Sequence, residues 1–217
     1  MMRAAVILDL DGTLVDSRTD LAASANAGRA ALGFAPLPDA AITSFVGDGA
    51  ARLIERATPE VASLPASAAL REQALAAFRA DYDRRCTATT FPYAGIDQAL
   101  QRLADAGWLL GVATNKPLGP TRAILAATGL DRWIGFAHGG DAIRKPDPAA
   151  IHSVLVPLGC AAAASWMVGD HHTDLIAGQA AGCRTLFCTW GFGRREGAHA
   201  DAVAATPAEL PEILGRP

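Results

Sequence analysis

A chain of 217 residues, 51% of them hydrophobic, has room for one large domain or for a core with an inserted module, and it is too apolar for disorder. Its net charge of −3 gives little electrostatic support to a nucleic-acid or anionic-membrane partner. Cys86, Cys160, Cys183 and Cys188 form no C-x-x-C pair, which argues against a zinc site or disulfide framework and for small apolar fillers in a reducing compartment. Met1-Met2-Arg3 leads into an apolar run that Asp9 interrupts too early for a signal peptide, and no stretch approaches the ~18 apolar residues of a membrane span. The expected location is the cytoplasm, with neither membrane nor nucleic acid as partner.

In chain order, residues 4–8 read as a strand buried on both faces, ending in Asp9-Leu10-Asp11-Gly12-Thr13. Alternation along a strand lets Asp9 and Asp11 converge at its carboxyl end. Two acids on a buried strand are unfavourable unless compensated, and a divalent cation is the obvious compensator. Taken alone, the string also reads as a strand end followed by an Asp-Gly turn. Residues 20–32 predict a helix stopped by Gly33, residues 39–45 a short helix, and residues 50–57 a helix with Leu53 and Ile54 inward. Residues 59–65 read as irregular and residues 66–85 as a long Ala-rich helix. No strand pattern appears between Ser17 and Cys86, so this region reads as an all-helical module.

The texture changes at Phe91-Pro92-Tyr93-Ala94-Gly95. Ile96, Ala99, Leu100 and Leu103 form a helical stripe, and residues 108–113 a strand ending in Thr114-Asn115-Lys116-Pro117. Residues 118–128 predict a helix closed by Gly129. A weaker strand over 133–138 precedes Arg144-Lys145-Pro146-Asp147-Pro148 and a helix with Ile151, Val154, Leu155 and Leu158 as its stripe. Residues 165–168 form a strand ending in Gly169-Asp170, a helix follows from about residue 174 to 181, and residues 184–188 are a further strand before Trp190-Gly191-Phe192-Gly193. Residues 201–203 suit a short edge strand, and Thr206-Pro207-Ala208-Glu209 reads as a capping box opening the final helix. The alternation predicts an α/β fold, a doubly wound parallel sheet with an inserted all-helical domain. The expected boundaries are 1–16 with 89–217 for the core and 17–88 for the insert.

In such a sheet the strand ends meet on one edge, where ligands bind. That edge would collect Asp9, Asp11, Thr114, Asn115, Lys145 and Asp170, the inventory for handling a phosphoryl group with a hard cation. The basic residues are arginines except Lys116 and Lys145, and the asparagines are Asn26 and Asn115, so each exception carries more weight. Asn115 is equally suited to capping the next helix. Lys116 reads as a solvated side chain, and His171-His172 as two surface loop histidines rather than metal ligands.

In this order the motifs resemble those of the haloacid dehalogenase superfamily of hydrolases: Asp9-Leu10-Asp11-Gly12-Thr13, then Thr114 after a strand, then Lys145, then Asp170 with Asp174 four residues on. The helical insert resembles that family's cap. The resemblance implies Asp9 as a nucleophile forming an aspartyl-phosphate and Asp11 as general acid and base. It implies Mg²⁺ held by Asp9, the Asp11 backbone carbonyl and Asp170, with Asp174 ordering metal waters or Lys145. Thr114, with the Asp11 or Gly12 amide, would bind a phosphoryl oxygen, and Lys145 would hold nucleophile and phosphate together. The second acid, Asp11, sets the chain apart from the dehalogenases proper, and a cap without lysine sets it apart from phosphonatases.

The segment from Phe45 through Gly47 and Gly49 to Leu53 is similar to the G-x-G-x-x-x-L segment of phosphoglycolate phosphatases. Thr90-Phe91-Pro92-Tyr93-Ala94-Gly95 and Trp190-Gly191-Phe192-Gly193 are similar to their hinge and final turn. Arg52 then has two readings, a clamp on a substrate carboxylate or a solvated helix arginine. The expectation is a monomeric or homodimeric Mg²⁺-dependent phosphatase for a small phosphorylated metabolite. Its rivals are another sugar or amino-sugar phosphatase, a phosphosugar mutase, and a binding module on the same scaffold.

Overall fold

The computed structural model describes residues 3–65 and 67–217. Met1 and Met2, which entered the signal-peptide reading, and residue 66, the expected start of the long helix, lie outside the described residues. The chain divides into two compact units: residues to Asp16 together with Phe91–Pro217, and Ser17–Thr90. Along the chain, β1 (Ala5–Leu8) and β2 (Val15–Asp16) precede four helices, α1 (Arg18–Ala30), α2 (Asp39–Thr43), α3 (Ala50–Ala57) and α4 (Ser67–Arg85). Then follow β3 (Phe91–Pro92), α5 (Ile96–Asp105), β4 (Leu109–Ala113), α6 (Leu118–Thr128), β5 (Phe136–His138), α7 (Ala149–Leu158), β6 (Trp166–Gly169), α8 (His172–Ala180), β7 (Arg184–Cys188), β8 (Ala202–Ala204) and α9 (Leu210–Leu214).

In the first unit, six strands among the described residues form a sheet in the order β5-β4-β1-β6-β7-β8, every pairing parallel. All four residues of β1 are fully buried, so both faces of the sheet are covered there. Ala5 and Ile7 point to the face on which α7 lays Ile151, Val154 and Leu155, and α8 with its C-cap lays Ala177 and Ala181. From central β1 the chain winds out to β4 and β5, then crosses back to β6, β7 and β8. This places the carboxyl end of β1 at the switch point of the order, where such sheets bind ligands. Gly111 on β4 leaves room for α7, since a Cβ there would lie 2.4 Å from Val154. This is the doubly wound sheet that the strand-helix alternation predicted.

The second unit is helical, with α1 packed along α4 and against α2 and α3. Gly28 permits the α1–α4 contact: a Cβ there would lie 2.8 Å from the Ala74 carbonyl. Arg29 is buried and donates to the Ala35 carbonyl (2.6 Å), to the Ala57 carbonyl, and to both Glu60 oxygens (3.2 and 2.9 Å). Asp20, also buried, accepts from the amides of Thr89 and Thr90 and from both their hydroxyls, joining the two ends of the unit. Leu53 and Ile54 face inward.

Several local expectations need correction. Residues 59–63 form a 3-10 helix rather than an irregular segment. β2 and β3 pair antiparallel, a two-residue ladder too short to show periodicity. α8 starts at His172, two residues earlier than expected, because His171 caps it. Thr206 does not cap a backbone amide; its hydroxyl donates to Glu209, which accepts from the Ala205 amide, and a 3-10 turn opens the last helix. Among the described residues no helix is long and apolar enough to cross a membrane.

Arg29→Met removes a buried cation from two carbonyls and a carboxylate. It should cost about 2–4 kcal/mol of stability, read as a lower midpoint in denaturant titration.

Candidate active site

The site starts where β1 ends. The Asp9 amide donates to the Val168 carbonyl (2.9 Å), extending the β1–β6 pairing past the strand. The Leu10 carbonyl then accepts from the amides of Thr13, Leu14 and Val15, which coils the chain into a tight turn. Gly12 sits in that turn at φ +83°, a conformation that favours glycine. A Cβ there would also lie 2.1 Å from Asp170 Oδ2, so the missing side chain lets the turn approach the end of β6. The Gly12 amide donates to the Val15 carbonyl (2.9 Å). Turn closure thus uses the Gly12 donor, one of the two amides expected at a phosphoryl oxygen.

Lys145 is buried, with its ammonium 2.8 Å from Asp9 Oδ1 and 2.6 Å from Asp174 Oδ1. Asn115 holds it from behind: the Asn115 amide donates to the Lys145 carbonyl (3.0 Å), and the Lys145 N–H donates to Asn115 Oδ1 (2.8 Å). Asn115 was expected to bind substrate or cap α6. It does not cap α6: both ends of its side-chain amide are engaged with the backbone of residue 145. The other oxygen of Asp174 accepts from the His171 amide (2.9 Å), and Gly169 makes room, since its Cβ would lie 2.1 Å from that oxygen.

Asp170 is enclosed by the turn after β7. Its Oδ2 accepts from the amides of Phe192 (3.0 Å) and Gly193 (2.7 Å), and the Thr13 hydroxyl lies 3.4 Å from Oδ1. Cβ atoms at Gly191 or Gly193 would come within 2.3 Å and 2.6 Å of Asp170. Trp190 Nε1 donates to the Thr13 carbonyl, tying this turn to the one after β1. The glycines of this turn are plain in the sequence; the two amides they aim at Asp170 are not.

Carboxylate oxygens of Asp9, Asp170 and Asp174 all lie within 4.8 Å of one another, and all three residues are buried. Burial, opposed by Lys145 and reinforced by Asp174, raises the Asp9 carboxyl from 3.8 to about 6. Burial, then the charges of Asp9 and Asp174, push Asp170 well above the carboxylate range. For Lys145, burial works against the ammonium, but Asp174 and Asp9 outweigh it and hold its pKa above 10.5. Three carboxylates against one ammonium leave negative charge without a counterion, and the donors are hard oxygens. That set fits a divalent cation of the Mg²⁺ type.

The Asp11 carboxylate points elsewhere: its Oδ2 lies 2.9 Å from the Lys116 ammonium. Lys116 is buried, not solvated as expected, because the chain after β4 turns inward. Its amide donates to the Thr114 hydroxyl oxygen (3.2 Å), and Thr114 is itself buried beside β1. His171 is likewise not a surface histidine. It is buried, and its Nδ1 accepts from the Thr173 amide as the N-cap of α8. His172 lies 3.3 Å from Glu196. In the helical unit, Arg52 is exposed and paired with Glu55 (2.6 Å), while Gly47 lies between α2 and α3 at φ +129°.

A buried acid with a raised pKa stabilises the fold in its protonated form. With Asp9 near 6 in the fold and 3.8 outside it, that contribution is present below about pH 4 and fades as pH rises through 6. Asp170→Asn removes one of the mutually repelling charges. In metal-free buffer it should raise the melting temperature, by more at pH 7.5 than at pH 5, as scanning calorimetry can test.

Comparison with known proteins agrees with this architecture. A model of haloacid dehalogenase-like hydrolases matches residues 6–188. The chain is 40% identical to a phosphoglycolate phosphatase of Rhodospirillum rubrum, covering 100% of this chain and 92% of that protein. It is 35% identical to one of Cereibacter sphaeroides, covering 97% of each. Among solved structures, that of a predicted phosphoglycolate phosphatase from Haemophilus somnus superposes with a TM-score of 0.89 at 26% identity, over 98% of both chains. With the family's model matching from β1 to the end of β7, and relatives aligned over nearly their whole length, the chain belongs to the haloacid dehalogenase-like hydrolases.

Proposed function

We propose that the protein is a Mg²⁺-dependent phosphomonoesterase for a small phosphorylated metabolite, with 2-phosphoglycolate as the first candidate. The observation that carries the reading is the buried cluster of Asp9, Asp170 and Asp174 braced by Lys145. The substrate choice draws on the full-length relatives, which are phosphoglycolate phosphatases.

Asp9 attacks phosphorus as the bond to the ester oxygen breaks, and Asp11 gives that oxygen its proton. Water then attacks the aspartyl-phosphate, its proton passes to Asp11, and Asp9 is released with inorganic phosphate. The Thr114 hydroxyl and the Asp11 amide hold the phosphoryl oxygens. Lys145 keeps the nucleophile oriented and offsets the charge of the phosphate as a point charge. Asp9, Asp170 and the Asp11 carbonyl would hold Mg²⁺, with Asp174 ordering its surroundings. The bound ion supplies the positive charge that lets a carboxylate approach a phosphate. The helical unit takes the part of a cap that sets specificity, and Arg52, exchanging Glu55 for a substrate carboxylate, is its candidate contact.

The test is phosphate release over a panel of small monoesters with MgCl₂ or with EDTA. Wild-type protein should release phosphate only with the cation, and Asp9→Asn should lose on the order of 10³-fold or more. Undiminished release by Asp9→Asn would refute the covalent step. Preference for a sugar phosphate over phosphoglycolate would overturn the substrate. Transfer back to a sugar through a bisphosphate would mark a mutase, and no release from any ester a binding module.

A further inference from the structure

We propose that Lys116 is a positioning residue for the general acid and base: its ammonium holds the Asp11 carboxyl toward the ester oxygen that leaves. The inference rests on the phosphatase reading above. The chain has two lysines, and both are buried at this strand edge. Each meets one acid of the Asp9-x-Asp11 pair: Lys145 lies 2.8 Å from Asp9, and Lys116 lies 2.9 Å from Asp11. The Lys116 side chain is 4% exposed and that of Asp11 14%. An ammonium withdrawn from water to that degree is retained only when paired.

The backbone under Lys116 is fixed as well. Its N–H donates to the Thr114 hydroxyl oxygen (3.2 Å), and its carbonyl accepts from the Gly140 amide (2.8 Å). Gly140 can come this near because it lacks a Cβ, which would lie 2.6 Å from the Asn115 carbonyl. The ammonium thus extends from a fixed stretch of backbone and is buried against Asp11. A nucleophile and a proton donor two residues apart must face different atoms of one phosphate ester, and a freely rotating Asp11 would sample orientations useless for proton transfer. Separate lysines hold the two acids apart in direction.

A purely structural ion pair would look the same in the coordinates, so the test must read proton transfer. A poor alkoxide leaving group needs the proton, whereas 4-nitrophenolate leaves without one. Lys116→Met should lower kcat/KM about 10- to 100-fold on the alkyl monoester that the wild type turns over fastest, with KM little changed, and less than about threefold on 4-nitrophenyl phosphate. Adding Lys116→Met to Asp11→Asn should cost less than about a further twofold, since the two act as one unit. Lys116→Gln, which keeps a polar donor, serves if Lys116→Met does not fold. Equal losses on both esters, a change in KM alone, no loss, or full additivity with Asp11→Asn would each overturn the assignment of Lys116 while leaving the phosphatase reading intact. Failure of the wild type to hydrolyse either ester would overturn that reading and this one with it.

Discussion

Three carboxylates and one ammonium are buried side by side, and the loops of the first unit that meet there are arranged around that fact. Asp9, Asp170 and Asp174 repel one another where little solvent screens them. Lys145 relieves part of the repulsion by bridging Asp9 and Asp174. Two backbone amides, from Phe192 and Gly193, relieve another part at Asp170. Burial first, and then what remains of that repulsion, raises the Asp9 and Asp170 carboxyls, and an oxygen-rich cluster of negative charge suits a hard cation.

Geometry of this kind needs supports that do no chemistry themselves. Asn115 clamps the backbone of residue 145 from the neighbouring loop, so Lys145 is directed by β4 as well as by its own segment. The His171 amide holds Asp174, and the capped start of α8 holds His171. Glycines stand where backbone comes close to two of the acids: Gly12, Gly191 and Gly193 against Asp170, and Gly169 against Asp174. In each place a single Cβ would collide with a carboxylate or its supporting backbone. These contacts account for how this chain holds the acids and Lys145 in place.

The parallel sheet makes the convergence inexpensive. Strands in register, with Leu8 opposite both Val112 and Val168, end level with one another, so three loops open side by side without long excursions. The fold therefore brings residues 9, 145, 170 and 174 together through strand order rather than through nearness in the chain. The helical unit has its own supports, chiefly Arg29 on Glu60 and Asp20 on Thr89 and Thr90.

Periodicity and punctuation in the sequence sufficed for the layer order, the helical insert and most element ends, because apolar spacing and glycine stops act locally. The motif acids and Lys145 were readable too, since charge at the end of an apolar strand is conspicuous wherever the strand lies. The burial of Lys116 and His171, the clamp made by Asn115 and the amides of the Trp190–Gly193 turn were not legible for a common reason. Whether a loop lysine is solvated or paired, and whether an amide caps a helix or clamps a distant backbone, depends on what another loop brings to it. The partners of Lys116 and Asn115 lie 105 and 30 residues away along the chain. Only the packed sheet brings them within hydrogen-bonding distance, so the kinds of group at the site were set by sequence and their pairings by the tertiary fold.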